Sequence, residues 1–287
     1  MKITFLGTSA AHSSPLPFCK CKLCDSARRL GGKDLRKRAS LLVNDDLIID
    51  LGQDLMPASY MHNIDTSKII YWLQTHSHSD HFSAGHLLTR MAEYATIDTQ
   101  TLSLFASMQC IQNMSNKLCK EEHGVDLLGN EWQNRLNLNV NCIEPYKQFE
   151  CGSYVVTALY SAHDVNDGSY LYLINDNVNS LFYGLDADKP TLMTETMGYF
   201  SDNNIYLDII VLDHTYGKVN ANDHLNTDGF IEVINEMKSR KIIDDKTKVF
   251  ASHISHEGTL PHDEFVLFAN ERGYDVAFDG LVLDITE

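Results

Sequence analysis

The sequence predicts an α+β chain in which strands alternate with helices, and three observations carry that expectation. Short apolar runs rich in strand-forming residues recur along the whole length, bounded by turn residues. Between several of them apolar residues return at helical spacing, as at Met108, Ile111, Met114 and Leu118, and again at Phe230, Val233, Ile234 and Met237. Ionisable side chains stand just past the ends of apolar runs, at Asp50, His76, His163, Asp186 and His253.

At 287 residues the chain is long enough to bury a full core, and one domain over residues 1–287 is expected. Apolar content of 44% and only six prolines suit a compact soluble protein. No apolar run approaches the about eighteen residues of a spanning helix, and residues 1–7 lack the apolar core of a signal peptide. A cytoplasmic protein with no membrane partner is expected. Lys and Arg number 23 against 39 Asp and Glu, a formal charge of −16, so extended nucleic acid is disfavoured as a partner. The exception is the basic cluster Arg28, Arg29, Lys33, Arg36, Lys37 and Arg38, which reads as a solvated helix end and loop.

The first strand covers residues 2–7 and runs into a turn-rich segment, where His12 is an ordinary loop histidine or lines a site. Cys19, Cys21 and Cys24 follow. Seven cysteines is an odd number without the spacing of a disulfide framework, so these three read as a zinc clip, in a loop at about 15–38, lacking a fourth ligand. Cys110, Cys119, Cys142 and Cys151 read as ordinary buried thiols. Residues 39–43 and 47–50 flank the turn Asn44-Asp45-Asp46 as two antiparallel strands ending in Asp50.

Residues 68–73 form a strand that delivers Thr75-His76-Ser77-His78-Ser79-Asp80-His81, and a helix starting near Asp80 then continues through Met91 and Tyr94. A strand at 101–105, a helix over Met108 to Leu118, and strands at 137–143 and 154–160 come next. The last of these delivers Ser161-Ala162-His163. A hairpin of 171–174 with 180–185 ends in Asp186, and residues 207–212 deliver Asp213-His214-Thr215. A helix over residues 230–237 is capped by Asn226 or Thr227, a strand at 248–251 precedes His253, and a helix at 261–272 with strands at 276–278 and 281–285 completes the chain.

Three imidazoles and a carboxylate within residues 76–81 form a strong metal-binding signal. Side chains two apart share a face in an extended segment, so His76 and His78 can converge on one ion. Asp80 and His81 face elsewhere, within reach of a second ion of a two-metal site.

This string resembles the metal-binding signature of the metallo-β-lactamase superfamily. Cys-x-Cys-x-x-Cys near the start, with His-x-x-His near the end, resembles a narrower group that includes the phosphoribosyl cyclic phosphodiesterase of phosphonate breakdown and a pyrroloquinoline quinone biosynthesis protein. The resemblance implies a four-layer αββα sandwich, two sheets face to face with helices outside. It implies two divalent ions in the active site, Zn, Mn or Fe, one held by His76, His78 and His163 and the other by Asp80, His81 and His253. Asp186 would bridge them, with Asp188 as the competing position, and Asp50 would orient a ligating imidazole. His256 would complete the clip around one structural zinc. Asp80 and His224 are the expected catalytic residues, with His224 meeting a substrate phosphate just ahead of a helix start and His214 competing for that role.

The implied function is hydrolysis of a small phosphodiester, such as a cyclic nucleotide or a ribose 1,2-cyclic phosphate, by a hydroxide activated between the ions. A small phosphorylated substrate is the expected partner, and homodimerisation stays open. Two alternatives remain: another metal hydrolase, such as a lactonase, thioesterase or RNA-processing nuclease, and a non-catalytic carrier resembling the quinone-biosynthesis protein.

Overall fold

Period-two alternation of apolar side chains sends one set of each strand inward and the other outward, which lets two sheets share a core and still bury their outer faces. The structure, a computed structural model, describes residues 1–94, 99–187, 193–220 and 223–285. In the first sheet β1 (Lys2–Gly7), β2 (Ser40–Val43) and β3 (Leu47–Ile49) are antiparallel neighbours, with β14 (Val282–Asp284) on the far edge. Beyond β3, strands β4 (Tyr71–Leu73), β5 (Leu102–Ala106) and β6 (Leu138–Cys142) add in parallel.

The second sheet repeats this plan. An antiparallel meander of β7 (Gln148–Cys151), β8 (Tyr154–Tyr160), β9 (Tyr170–Asn175) and β10 (Ser180–Gly184) leads into β11 (Ile209–Asp213), β12 (Lys248–Ser252) and β13 (Asp275–Val276), all parallel.

Three buried clusters define the layers. Ile3, Phe5, Leu41, Ile49 and Leu73 of the first sheet meet Val156, Tyr172, Leu181, Ile209 and Val211 of the second. On the outer face of the first sheet, Leu42, Ile48, Trp72 and Leu104 pack under α2 (Leu55–His62), α3 (Ala84–Leu88), α4 (Met108–Leu118) and α5 (Asn130–Leu136). On the outer face of the second, Phe182, Ile210, Leu212 and Val249 are covered by α6 (Thr194–Asp202), α7 (Thr227–Ser239) and α8 (His262–Asn270). The result is the αββα sandwich.

Several details differ from expectation. The helix after the histidine cluster starts at Ala84 and ends at Leu88, short of Tyr94, because Arg90 turns to donate to the carbonyls of Leu136, Gln100 and Asn137. Asp80 and His81 therefore lie in a tight turn, closed by His81 N and Phe82 N donating to His78 O, rather than at a helix start. Met108 is half exposed at the first residue of α4. Asn226 is the cap of α7, its side chain accepting from Gly229 N. Cys142 is exposed at the end of edge strand β6, while Cys110 and Cys151 are buried. No helix among the described residues is long and apolar enough to cross a membrane.

The basic cluster begins in the last turn of α1 (Lys22–Leu30), continues through the segment after it and is only partly solvated. Arg28 pairs with Asp25, Lys37 with Asp279 and Arg38 with Asp54. Arg36 is buried and donates to Thr8 Oγ1, to Ala277 O and toward His262 Nδ1 at 3.1 Å. It thereby ties the loop after β1 to the start of α8 and to the chain's last strands.

His262 must stay neutral to face that guanidinium. Burial, then the charges of Arg36 and Lys33, push its pKa down from 6.5 to about 4. Between those values the unfolded chain binds a proton that the native one refuses, so this contribution is intact above pH 6.5 and is lost as pH falls toward 4. His262→Gln should flatten the acid decline of unfolding free energy over that window by up to about 3 kcal/mol, as read by urea unfolding at a series of pH values.

Candidate metal centre

Asp50, His76, Asp80 and His81, which follow β3 and β4, stand opposite His163, Asp186, Asp213 and His253, which close β8, β10, β11 and β12. All are at C-terminal ends, and the strands of each set run the same way within their sheet. The backbone there is strained: Asp50, Asp186 and His253 sit at φ 64°, 53° and 60°, a left-handed region that costs a residue with a side chain about 1–3 kcal/mol. Gly52 lets the turn close, because a Cβ on it would stand 2.5 Å from Asp80 O.

The imidazoles are oriented by buried partners. Asp50 accepts from Thr75 N at 2.9 Å and Thr75 Oγ1 at 2.8 Å, and its other oxygen meets His81 Nδ1 at 2.7 Å. Gln74 braces this turn from below, donating to Asp50 and to the carbonyls of His76 and His81 while accepting from Trp72 Nε1. Thr75 Oγ1 also lies 3.0 Å from His76 Nδ1, and Thr215 Oγ1 lies 2.7 Å from His253 Nδ1. Each arrangement leaves Nε2 facing inward.

What those inward atoms meet is informative. Nε2 of His76, His81 and His253 and Oδ2 of Asp186 are buried with no aligned hydrogen-bond partner among the described residues. They are close to one another all the same: His81 Nε2 is 2.9 Å from Asp186 Oδ2 and 3.1 Å from Asp80 Oδ2, and His253 Nε2 is 3.4 Å from Asp186 Oδ1. Distances of an ion pair without hydrogen-bond alignment are what lone pairs aimed at a shared third atom produce. Three overlapping groups, His76 with His78 and His163, Asp80 with His81 and His253, and His76 with His81 and Asp186, each bring their ligand atoms within 4.8 Å. The donor set of imidazoles and carboxylates fits a divalent metal.

The field is equally one-sided. Burial opposes charge on Asp186, yet His253 and His81 outweigh it and hold its carboxyl well below the usual range. Burial likewise opposes protonation of His253, but Asp186 and Asp213 lift it to about 10. His76 is pushed well down by burial and by its neighbour His81. Without a metal the carboxylates would thus retain protons on the imidazoles that face them. Binding a cation must displace those protons.

His224 enters this site and His214 does not. His224 Nδ1 lies 3.0 Å from Asp213 Oδ2 and 3.5 Å from Asp186 Oδ1, whereas His214 is buried against Phe230 and Phe265 under α7 and α8. His12 is exposed in its loop, and Asp188 lies outside the described residues. Asp213, to which the sequence reading attached no role, accepts from Asp186 N at 3.1 Å and from Thr215, besides meeting His224 and His253. Its only signal in the sequence is that it ends an apolar run just as Asp186 does.

A second donor cluster lies apart from the first. Sγ of Cys19, Cys21 and Cys24 stand 3.5, 3.4 and 3.5 Å from His256 Nδ1. Bonds of about 2.3 Å to sulfur and 2.0 Å to nitrogen place tetrahedral corners about that far apart. Cys21 caps α1 by accepting from Cys24 N, which, against the effect of burial, lowers its thiol to about 6, while burial and the other two sulfurs raise Cys24 to about 12.

The two face-to-face sheets, the helices outside them and the ligand-like cluster at the strand ends define a protein of metallo-β-lactamase fold. No family model matches the sequence, and no curated protein matches it either. Among solved structures it is similar to a diphosphatase of the PhnP family, at 19% identity and a TM-score of 0.70 over 98% of this chain and 96% of that one. It is also similar to zinc-bound PqqB from Methylobacterium extorquens, at 17% identity and 0.72 over 99% and 100%, and to the metallo-β-lactamase fold protein YhfI from Bacillus subtilis, at 16% and 0.67 over 98% of each. At these identities the likeness is one of fold.

Cys21→Ser should remove one equivalent of zinc per chain. Loss of a zinc cross-link there would be comparable to that of a disulfide, about 2–5 kcal/mol, and should lower the melting temperature accordingly. Unchanged zinc content and melting temperature would rule the clip out.

Proposed function

We propose that this chain is a metal-dependent hydrolase of small phosphodiesters that works with two divalent ions, zinc, manganese or iron. His76, His78 and His163 would hold one, Asp80, His81 and His253 the other, with Asp186 between them. The observation that supports this most is the convergence of buried, unaligned imidazole and carboxylate atoms. Bound ions would supply an activated water and positive charge opposite the developing phosphoryl oxygens.

The chain's own contribution is orientation and a proton. Asp50, Thr75 and Thr215 keep the ligating nitrogens turned inward. Asp80, expected among the catalytic residues, directs Oδ2 at both His81 and His253 and so serves as a ligand. Burial opposes a charge on His224, but Asp213 and Asp186 outweigh it and raise its pKa above the usual histidine value. With Nδ1 beside the Asp213 carboxylate, a protonated His224 at the edge of the ligand cluster can donate to a phosphate oxygen or to the departing alkoxide. A small substrate also suits the basic segment, where Arg28, Arg36, Lys37 and Arg38 are engaged internally rather than free to track a phosphate backbone.

Purified protein should hydrolyse bis(p-nitrophenyl) phosphate with added Mn²⁺, Zn²⁺ or Fe²⁺, and Asp186→Ala should abolish turnover. No turnover with any of these ions, together with tight retention of a small molecule, would favour the carrier instead. His224→Ala should lower kcat by about 10²–10⁴ on a diester with an alkoxide leaving group. It should matter far less for p-nitrophenolate, which departs without a proton. Equal losses on both substrates would remove His224 from the proton-donor role.

A further inference from the structure

Among the imidazoles at the centre, His78 is braced differently. His81, His253 and His224 rest on Asp50, Thr215 and Asp213, and His76 on Thr75, all of them buried. His78 Nε2 instead lies 3.1 Å from Asp164 Oδ2, and both side chains open to solvent, 42% and 29% exposed. We infer that Asp164 is the positioning residue for His78, and that this solvent-exposed pair makes the His76–His78–His163 site the weaker and more exchangeable of two metal sites. The inference rests on the two-ion reading above.

Asp164 is well placed for the task. Its Oδ1 accepts from Asn166 N at 2.9 Å and from Asp167 N at 3.2 Å, so its own turn aims the other oxygen at His78. With Nε2 engaged there, His78 offers Nδ1 to an ion, and a carboxylate on the far nitrogen makes an imidazole a better ligand. The same loop carries His163 one position earlier. Three positions later it carries buried Asp167, whose carboxylate takes Ser77 N and, at 2.8 Å, Ser77 Oγ. Ser77 stands between His76 and His78, and Lys117 Nζ holds its carbonyl from the other side. The loop between β8 and β9 therefore arranges all three ligands of this cluster.

The two clusters differ in how firmly they are built. Side chains of Asp80, His81 and His253 are 10%, 0% and 2% exposed, and their braces lie out of reach of water. In the other cluster water competes for the Asp164–His78 contact, and His163 Nδ1 is buried with no hydrogen-bond partner among the described residues. A ligand braced in solvent and another braced only by its loop hold a cation less tightly than a set locked on buried carboxylate and hydroxyl groups.

The test is a Mn²⁺ titration of protein that retains its zinc clip, with free Mn²⁺ followed by electron paramagnetic resonance. Thiolates disfavour Mn²⁺, so the clip does not contribute. Wild type should bind two Mn²⁺ ions with unequal affinity. Asp164→Asn, close in shape but uncharged, should weaken the looser site about tenfold, leave the tighter one unchanged and leave the melting temperature of metal-depleted protein unchanged. Turnover of the variant should recover at saturating Mn²⁺, as a purely structural defect would not. Asp50→Asn should show the reverse selectivity. Equal weakening of both sites by Asp164→Asn, or of neither, would overturn this inference alone, whereas a wild type that binds fewer than two Mn²⁺ ions would overturn the two-ion reading with it.

Discussion

Carboxylates and imidazoles buried without aligned partners set the terms for the rest of the molecule. An unpaired polar group out of water costs about 1–3 kcal/mol and a charged one several more, so folds seldom gather them. Here Asp186, His76, His81 and His253 share one enclosure, and Asp50, Asp186 and His253 add backbone strain. Three continuous apolar cores on either side of and between the sheets hold the strand ends rigidly enough for that arrangement to persist. Protons shared between the facing imidazoles and carboxylates recover part of that expense, and a cation among the lone pairs would recover the rest, which is why the arrangement reads as a binding site rather than as a defect.

The two sheets meet this demand in parallel ways. Each carries one buried carboxylate at the end of a strand beside the strand that delivers a ligand: Asp50 ends the segment of β3, next to β4, and Asp213 ends β11, next to β12. Asp50 orients His81, and Asp213 stands behind both His253 and His224. Beneath Asp50 the line of support runs through Gln74 to Trp72, a residue of the helix-covered core, so that the ring positions are tied to packing and not only to loops. Asp213 is held instead by backbone N–H groups of Thr215 and Asp186, just past the ends of β11 and β10.

That division explains what could be read from the sequence. Strand-borne residues were legible because each follows an apolar run whose length and alternation identify a strand, so their placement along one edge follows from period two and parallel pairing. Gln74, Thr75, Asp164, Asp167 and Thr215 carried no such mark. They are ordinary turn residues, and their roles exist only because chain segments distant in sequence, such as Ser77 and Asp167, are brought together in space. The short α3 was hidden for a related reason: Leu87 and Met91 keep helical spacing and are both buried, but tertiary hydrogen bonds to Arg90 win over local periodicity. Arg36 likewise reads as a surface cation until His262 and Ala277, from the far end of the chain, close over it.

The clip and the centre are neighbours along one short segment, since His253 and His256 both follow β12. A metal held by the cluster would join that segment to Cys19, 237 positions away in sequence, where loop-closure entropy is large. It is not the segment's only anchor. Ala10 N donates to Ile254 O and Ile254 N to Thr8 O, Ser255 N donates to Thr215 O, and Gly217 N donates to Glu257 O. Thr215 is also the group that orients His253, so the hydrogen bonds that seat the segment are continuous with those that aim its ligand. A cross-link on such a segment limits how far it can open without being needed to form it. A zinc held by that cluster would therefore bear on how long the centre stays assembled more than on whether it assembles.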